Sequence, residues 1–179
     1  MAPYRPPTTT PEDERADLLE TLAKHRQLLR HTVRDLTDEQ AALRTTASEL
    51  CLGGLIKHVT AVERNWTAFI AEGPSVMGDF TKMTEADWER RAAEFCLQPG
   101  ETLAAVLDAY AETAHATDEL ITALPDLNAT QPLPKAPWHQ PNTHWSARRT
   151  VLHIIGETAQ HSGHADIIRE SLDGAKTMG

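Results

Sequence analysis

The sequence predicts an all-α protein, a four-helix bundle with long crossover connections. Three observations carry that prediction. Four stretches repeat their apolar residues with the 3.6-residue period of a helix. Alternating runs of Val, Ile and Thr, the mark of half-buried strands, are missing. Proline collects between the periodic stretches or at their very start rather than within them. A chain of 179 residues has the length of one domain. The expected domain spans 11–173, after a Pro- and Thr-rich flexible tail over 1–10.

The first helix is expected from Pro11 to Leu36. Thr10 suits a cap and Pro11 the first helical position, with Glu12, Asp13 and Glu14 at the positive end of the dipole. Leu18, Leu22, Leu29, Val33 and Leu36 form its stripe, with His25 among them. Thr37-Asp-Glu-Gln40 is a capping-box pattern that opens a short helical turn. The second helix is expected from Ser48 to Ala71 on Leu52, Leu55, Val59, Val62, Trp66 and Phe69. Its Gly53-Gly54 either weakens the start or marks a close neighbour. Gly73-Pro74 stops it, and Thr84 to Cys96 can hold a short helix packed through Trp88 and Phe95. The third long helix runs from Gly100 to Leu124 and stops at Pro125. The Pro-rich stretch 126–143 reads as an irregular functional loop carrying Trp138 and His139. The fourth helix is expected from Ser146 to Leu172, before Gly174.

Composition narrows the function. Seventeen basic and 26 acidic residues leave a net charge of −9, unsuited to wrapping nucleic acid or lying on anionic lipid. No apolar run is long enough to span a membrane, and the N-terminus lacks the apolar core of a secretory signal. Cys51 and Cys96 belong to no CxxC pair and read as reduced, buried thiols, so a cytoplasmic location is expected. No phosphate-binding glycine loop, HExxH or GxSxG motif is present.

The chemistry concentrates in the last helix. His153, Glu157, His161 and His164 follow one another at intervals of four, four and three, which puts them on one helical face. A second strip, Val151, Ile155, Ala159, Ser162 and Ala165, is small and apolar, so much of this helix packs inward. A buried carboxylate must be paired, protonated or bound to a metal. Glu157 and His161 lie one turn apart, with Cβ atoms about 6 Å apart, close enough to reach one ion. His58, on the shoulder of the second helix, offers a third ligand. Three readings fit this spacing: a His58–Glu157–His161 metal site, a buried polar network, or a solvated face.

The segments WSARRTVLHIIGETAQHSGHADIIRE and LGGLIKHVTAVERNW resemble the DinB/YfiT-like superfamily. They come nearest to its branch of mini-circle proteins and the N-terminal domain of mycothiol-dependent maleylpyruvate isomerase. The resemblance extends from Leu18 to Leu172. It implies a four-helix bundle binding one divalent metal (zinc, nickel or iron) near one end. It places the ligands on His58, Glu157 and His161, where many relatives have histidine at the Glu157 position. It implies outer roles in catalysis for His164 and His153 and a cofactor contact for Trp145, and for Arg148 either an anchor of the 125–145 loop or a contact to an anionic cofactor. It implies mycothiol as cofactor, a small thiol and an electrophile as partners, and a homodimer. The expected function is therefore a metal-dependent thiol transferase or isomerase. The alternatives are a non-catalytic metal- or ligand-binding stress protein and a metal-dependent hydrolase.

Overall fold

The computed structural model describes residues 11–177; the tail over 1–10 and the Thr10 cap lie outside the described residues. The fold is all-α in its architecture. Four long helices, α1 (Pro11–His31), α3 (Leu52–Glu72), α5 (Leu103–Ala123) and α6 (Ala147–Asp173), are joined through two short ones, α2 (Asp38–Ala42) and α4 (Glu85–Ala93). α6 lies against α1 and α3, α3 lies against α5, and α1 closes on α5. The core fills the space between them, with Leu22, Leu29, Leu55, Ile56, Phe69, Tyr110, Ile121 and Ile154 among its fully buried side chains.

α1 ends at His31, five residues before the expected Leu36, and the chain turns through Asp35 in the left-handed region (φ 58°). Arg169 of α6 holds that ending: its Nη1 donates to the carbonyls of Thr32 (2.9 Å) and Arg34 (2.7 Å). α3 begins at Leu52 rather than Ser48, because the Cys51 sulfur accepts from the Gly54 amide and caps the helix. The glycine pair marks a close neighbour. A methyl group on Gly54 would fall 1.9 Å from the Phe95 carbonyl oxygen. α4 does not pack through Trp88, which is 45% exposed. Phe95, just beyond it, does the packing.

The segment expected to be irregular contains an antiparallel pair, β1 (Thr130–Pro132) with β2 (His144–Ser146), in the register Thr130↔Ser146 and Pro132↔His144. Three residues a side are too few to show alternation in the sequence. The pairing delivers the chain to Ser146, whose hydroxyl caps α6 at the Arg149 amide. Among the described residues, no helix is long and apolar enough to cross a membrane.

Candidate metal centre

The centre lies between α3 and α6. His58 points inward because α3 is buried on several sides, against α5, α6 and the turn at 74–77. Its ring stacks on Phe95 (centroids 4.0 Å apart, planes at 23°) and meets His161 edge-on at 4.9 Å. The close approach at Gly54 brings the Phe95 backbone in to form that stack. On α6 the four-residue spacing sets Glu157 and His161 side by side. One potential ligand atom from each of His58, Glu157 and His161 lies within 4.8 Å of the others.

Within the cluster, His161 Nε2 is 3.7 Å from Glu157 Oε2 and His153 Nε2 is 3.8 Å from Glu157 Oε1. Both separations are too long for hydrogen bonds. His164 Nδ1 is 3.3 Å from His161 Nδ1, on the side of the ring away from Glu157. The structure thus gathers five of the seven sequence-predicted site residues around one feature: His58, Glu157 and His161 at the centre, with His153 and His164 beside them. Trp145 stands one layer further out. It stacks on Trp66 at 5.0 Å, and the His153 ring meets both indoles edge-on, at 4.9 Å from Trp66 and 5.1 Å from Trp145. Arg148 is not brought to the cluster. Its guanidinium is bound to both carboxylate oxygens of Glu14 and to Asn128 Oδ1, so it ties α1 and the 126–129 turn to the start of α6. The cation on Trp145 is Arg149, 4.5 Å above the ring.

Electrostatics sharpen the picture. Burial, reinforced by His161 and Arg91, pushes His58 down to about 4. Burial also lowers His161, with His164 adding to the effect, and lowers His153. Burial raises the Glu157 carboxyl above the usual range. Neutral imidazoles cannot compensate a desolvated carboxylate, yet each keeps a lone pair for a metal. His58 Nδ1 is buried without a hydrogen-bond partner. Two nitrogens and one carboxylate oxygen form a donor set for a first-row divalent ion. Ligand atoms on a four-coordinate ion sit about 3.4 Å apart. The 3.7 Å between Glu157 and His161 is already near that value. The residues therefore fit a divalent metal.

Other ionisable and aromatic residues near these helices have structural places. Glu63 pairs with Arg26 of α1 in an interhelical salt bridge. Trp66 is core. His25 is half-buried rather than a core histidine, and His115 is at the surface beside Glu119. Phe95 is the residue that sequence reading undervalued. It follows α4, and nothing local to it signals a stack on a histidine 37 positions earlier.

An all-α arrangement with a His/Glu/His cluster between two long helices defines a class, that of DinB/YfiT-like proteins with a candidate metal centre. Residues 17–174 match the mycothiol-S-transferase family, and the chain belongs to that family. Among solved structures, the crystal structure of a conserved protein from Enterococcus faecalis is similar, with a TM-score of 0.66 and 15% identity over 89% of this chain and 97% of that one. At that identity the likeness shows the fold. No curated protein matches the chain.

Proposed function

We propose that this protein is a divalent-metal-dependent enzyme that activates a low-molecular-weight thiol, mycothiol by family, for transfer to an electrophile. The single observation that carries the reading is the His58–Glu157–His161 cluster within a chain of the mycothiol-S-transferase family. In this reading residues 11–173 form one four-helix bundle with long crossovers, and the three side chains hold the ion. A divalent ion there lowers the pKa of a thiol that reaches it, from about 8.5 toward neutrality.

The remaining work falls to the chain's own residues. His153, neutral and set edge-on against the Trp66–Trp145 stack with Nε2 toward Glu157, accepts the thiol proton. The sulfur forms the new C–S bond, and the proton held at His153 passes to the leaving group or to the adduct. His164 fixes the His161 ring through the Nδ1–Nδ1 contact, which leaves Nε2 aimed at Glu157. The Trp66–Trp145 stack supplies an apolar wall that limits water beside the thiol. Arg148 in this reading braces the site from behind. The test is elemental analysis of protein purified without added metal, followed by consumption of mycothiol with an electrophile. Metal with thiol turnover supports the reading. Metal without turnover leaves a binding protein, and absence of both removes the metal site.

A further inference from the structure

An unbroken arc of aromatic rings borders the candidate centre. It starts at Arg91 of α4, whose guanidinium lies 5.3 Å over the Phe80 ring. Phe80 meets Trp138 at 5.5 Å, Trp138 meets His139 at 6.0 Å, and His139 meets Trp145 at 6.5 Å. It ends at Arg149 of α6, 4.5 Å over Trp145. The two ends stand on different sides of the centre. Arg91 is near enough to His58 of α3 to add to the lowering of its pKa, and Arg149 does the same to His153 of α6. The centre remains open to solvent, since the side chains of His153 and Glu157 are 26% and 28% exposed.

The arc is tied down by its own backbone. The Phe80 amide donates to the Lys135 carbonyl at 2.8 Å, the Leu133 amide to the Thr143 carbonyl at 2.8 Å, and His139 Nδ1 lies 3.0 Å from the Pro134 carbonyl oxygen. Yet Trp138 stays 60% exposed. Both terminal arginines are also unspent. Arg26, Arg44, Arg90, Arg148 and Arg169 are each paired with a carboxylate. Among the described residues, the guanidiniums of Arg91 and Arg149 have no acceptor and rest on a ring face instead. In a chain of net charge −9, carboxylates are not scarce. A guanidinium lying on an aromatic face keeps its donor edge free, and that edge matches a carboxylate. An exposed indole among other rings offers a surface to another flat ring.

We propose that the arc binds an aromatic carboxylate, with the ring system against Trp138 and Trp145 and the negative group drawn to Arg149 and Arg91. An uncharged aromatic molecule would cover the indoles and leave both arginines unpaired. A small aliphatic diacid would pair the arginines and leave the indoles in water. The arc calls for both properties in one molecule. Its place beside the centre makes that molecule the electrophile. This last assignment rests on the thiol-activating reading above; the binding site itself does not.

The test uses the full chain in chelator, so that no metal ion can take the carboxylate, and follows the tryptophan indole N–H signals by NMR. The probes are 2-naphthoate, its uncharged counterpart 2-naphthamide, and fumarate. Naphthoate should move the Trp138 and Trp145 signals with a Kd of about 1 mM or tighter, the range for a ligand of its size. Naphthamide and fumarate should each bind about tenfold more weakly. Trp138→Ala, at an exposed position, should weaken naphthoate about tenfold. Arg149→Met keeps an apolar chain beside Trp145 and should bring naphthoate down to the level of naphthamide, and Arg91→Met should weaken it severalfold. Naphthoate that moves neither indole signal would overturn the proposal. So would naphthamide or fumarate binding as tightly as naphthoate, or an Arg149→Met variant that binds like the parent. Metal-dependent mycothiol turnover by a protein that ignores naphthoate would remove this site and leave the thiol reading standing. Naphthoate binding by a protein that takes no metal would keep the site and overturn the assignment of its ligand as the electrophile.

Discussion

Two carboxylates of this molecule sit inside helical packing and have met opposite treatments. Glu63 of α3 is fully buried, and Arg26 of α1 grips it with two bonds, Nη2 to Oε1 at 2.5 Å and Nε to Oε2 at 3.2 Å. Asp118 of α5 takes a third bond from the same guanidinium at 2.8 Å. Glu157 of α6 is only partly buried, but burial still raises its pKa, and its two nearest bases are imidazoles that burial keeps neutral. The first carboxylate is satisfied by its own chain, and its charge ties three helices together. The second is surrounded by lone pairs rather than protons. A buried ion pair closed on itself is a structural device. A desolvated carboxylate beside two neutral imidazoles is a site that a cation completes.

The largest expected effect tests the closed side of this comparison. Arg26→Met removes the guanidinium and strands Glu63 in the core. Breaking one partner of a buried pair costs about 3–5 kcal/mol, so the variant should lose a large part of the stability of a domain this size. Urea denaturation followed by circular dichroism reads the loss directly. The double variant Arg26→Met with Glu63→Leu should recover most of it. Failure to recover would show that the pair does more than neutralise itself.

The next effect is a pH dependence on the open side. His58 titrates near 4 in the folded protein, against about 6.5 when unfolded. The unfolded chain therefore binds more protons between these values, and stability falls as pH drops through that window. For the metal-free protein this amounts to about 2–3 kcal/mol between pH 7 and pH 4. Glu157 works in the other direction. Its raised folded pKa means that stability is recovered as pH falls through that value. Replacing His58 with Asn should flatten the acid side of the stability profile, measured by thermal melts in chelator. An unchanged slope would mean that another group dominates there.

A third effect is metal content. His161→Ala should remove most of the bound metal, since one nitrogen ligand is lost. Glu157→Gln should weaken binding less, because an amide oxygen still coordinates without its charge. His164→Ala should leave the metal content near that of the parent. Its contact with His161 orients the ring, and loss of such a contact lowers affinity about 10–100-fold, visible in a chelator competition rather than in stoichiometry. Elemental analysis of the three variants beside the parent separates these outcomes. Equal metal loss in all three would place His164 among the ligands.

How much of this was legible in the sequence depends on how local each signal is. The four long helices could be read from periodicity, and the Thr37–Gln40 capping box from four residues, because those patterns are complete within a few turns. Glu157 and His161 could be joined for the same reason. His58 needed the inward shoulder of a second helix and a family resemblance to fix its place. The end of α1 was not legible, because Arg169, on the far side of the chain, holds the carbonyls that terminate it. The loop-anchoring role of Arg148 could be read as one of two alternatives, but its partners could not. A cationic residue at the start of a site-bearing helix suits a loop anchor or a ligand contact equally, and only the fold decides between them by showing Glu14 and Asn128 already bound to it. Phe95 could be read as a packing residue, but its stack on His58 and the three-residue strands escaped because the partners are far away in sequence.

The smallest effect is the most discriminating, because the comparison predicts its sign. Glu157→Gln in the metal-free protein removes a carboxylate that burial disfavours, and the amide keeps the same shape. At pH 8, well above the carboxyl's unfolded value, the variant should be as stable as the parent or slightly more so, by less than about 1 kcal/mol. The same substitution at Glu63 should destabilise, since it abandons Arg26. Adding a divalent metal should then reverse the order at position 157. A ligand at about 100 times its Kd stabilises the folded state by about 2.7 kcal/mol, and the parent should gain more of that than the variant. Melting curves of both proteins, with chelator and with zinc, give four Tm values. Crossing lines identify Glu157 as a residue that trades stability of the empty fold for a cation. If Glu157→Gln is the less stable protein in both conditions, Glu157 holds the fold together as Glu63 does, and the contrast between them disappears.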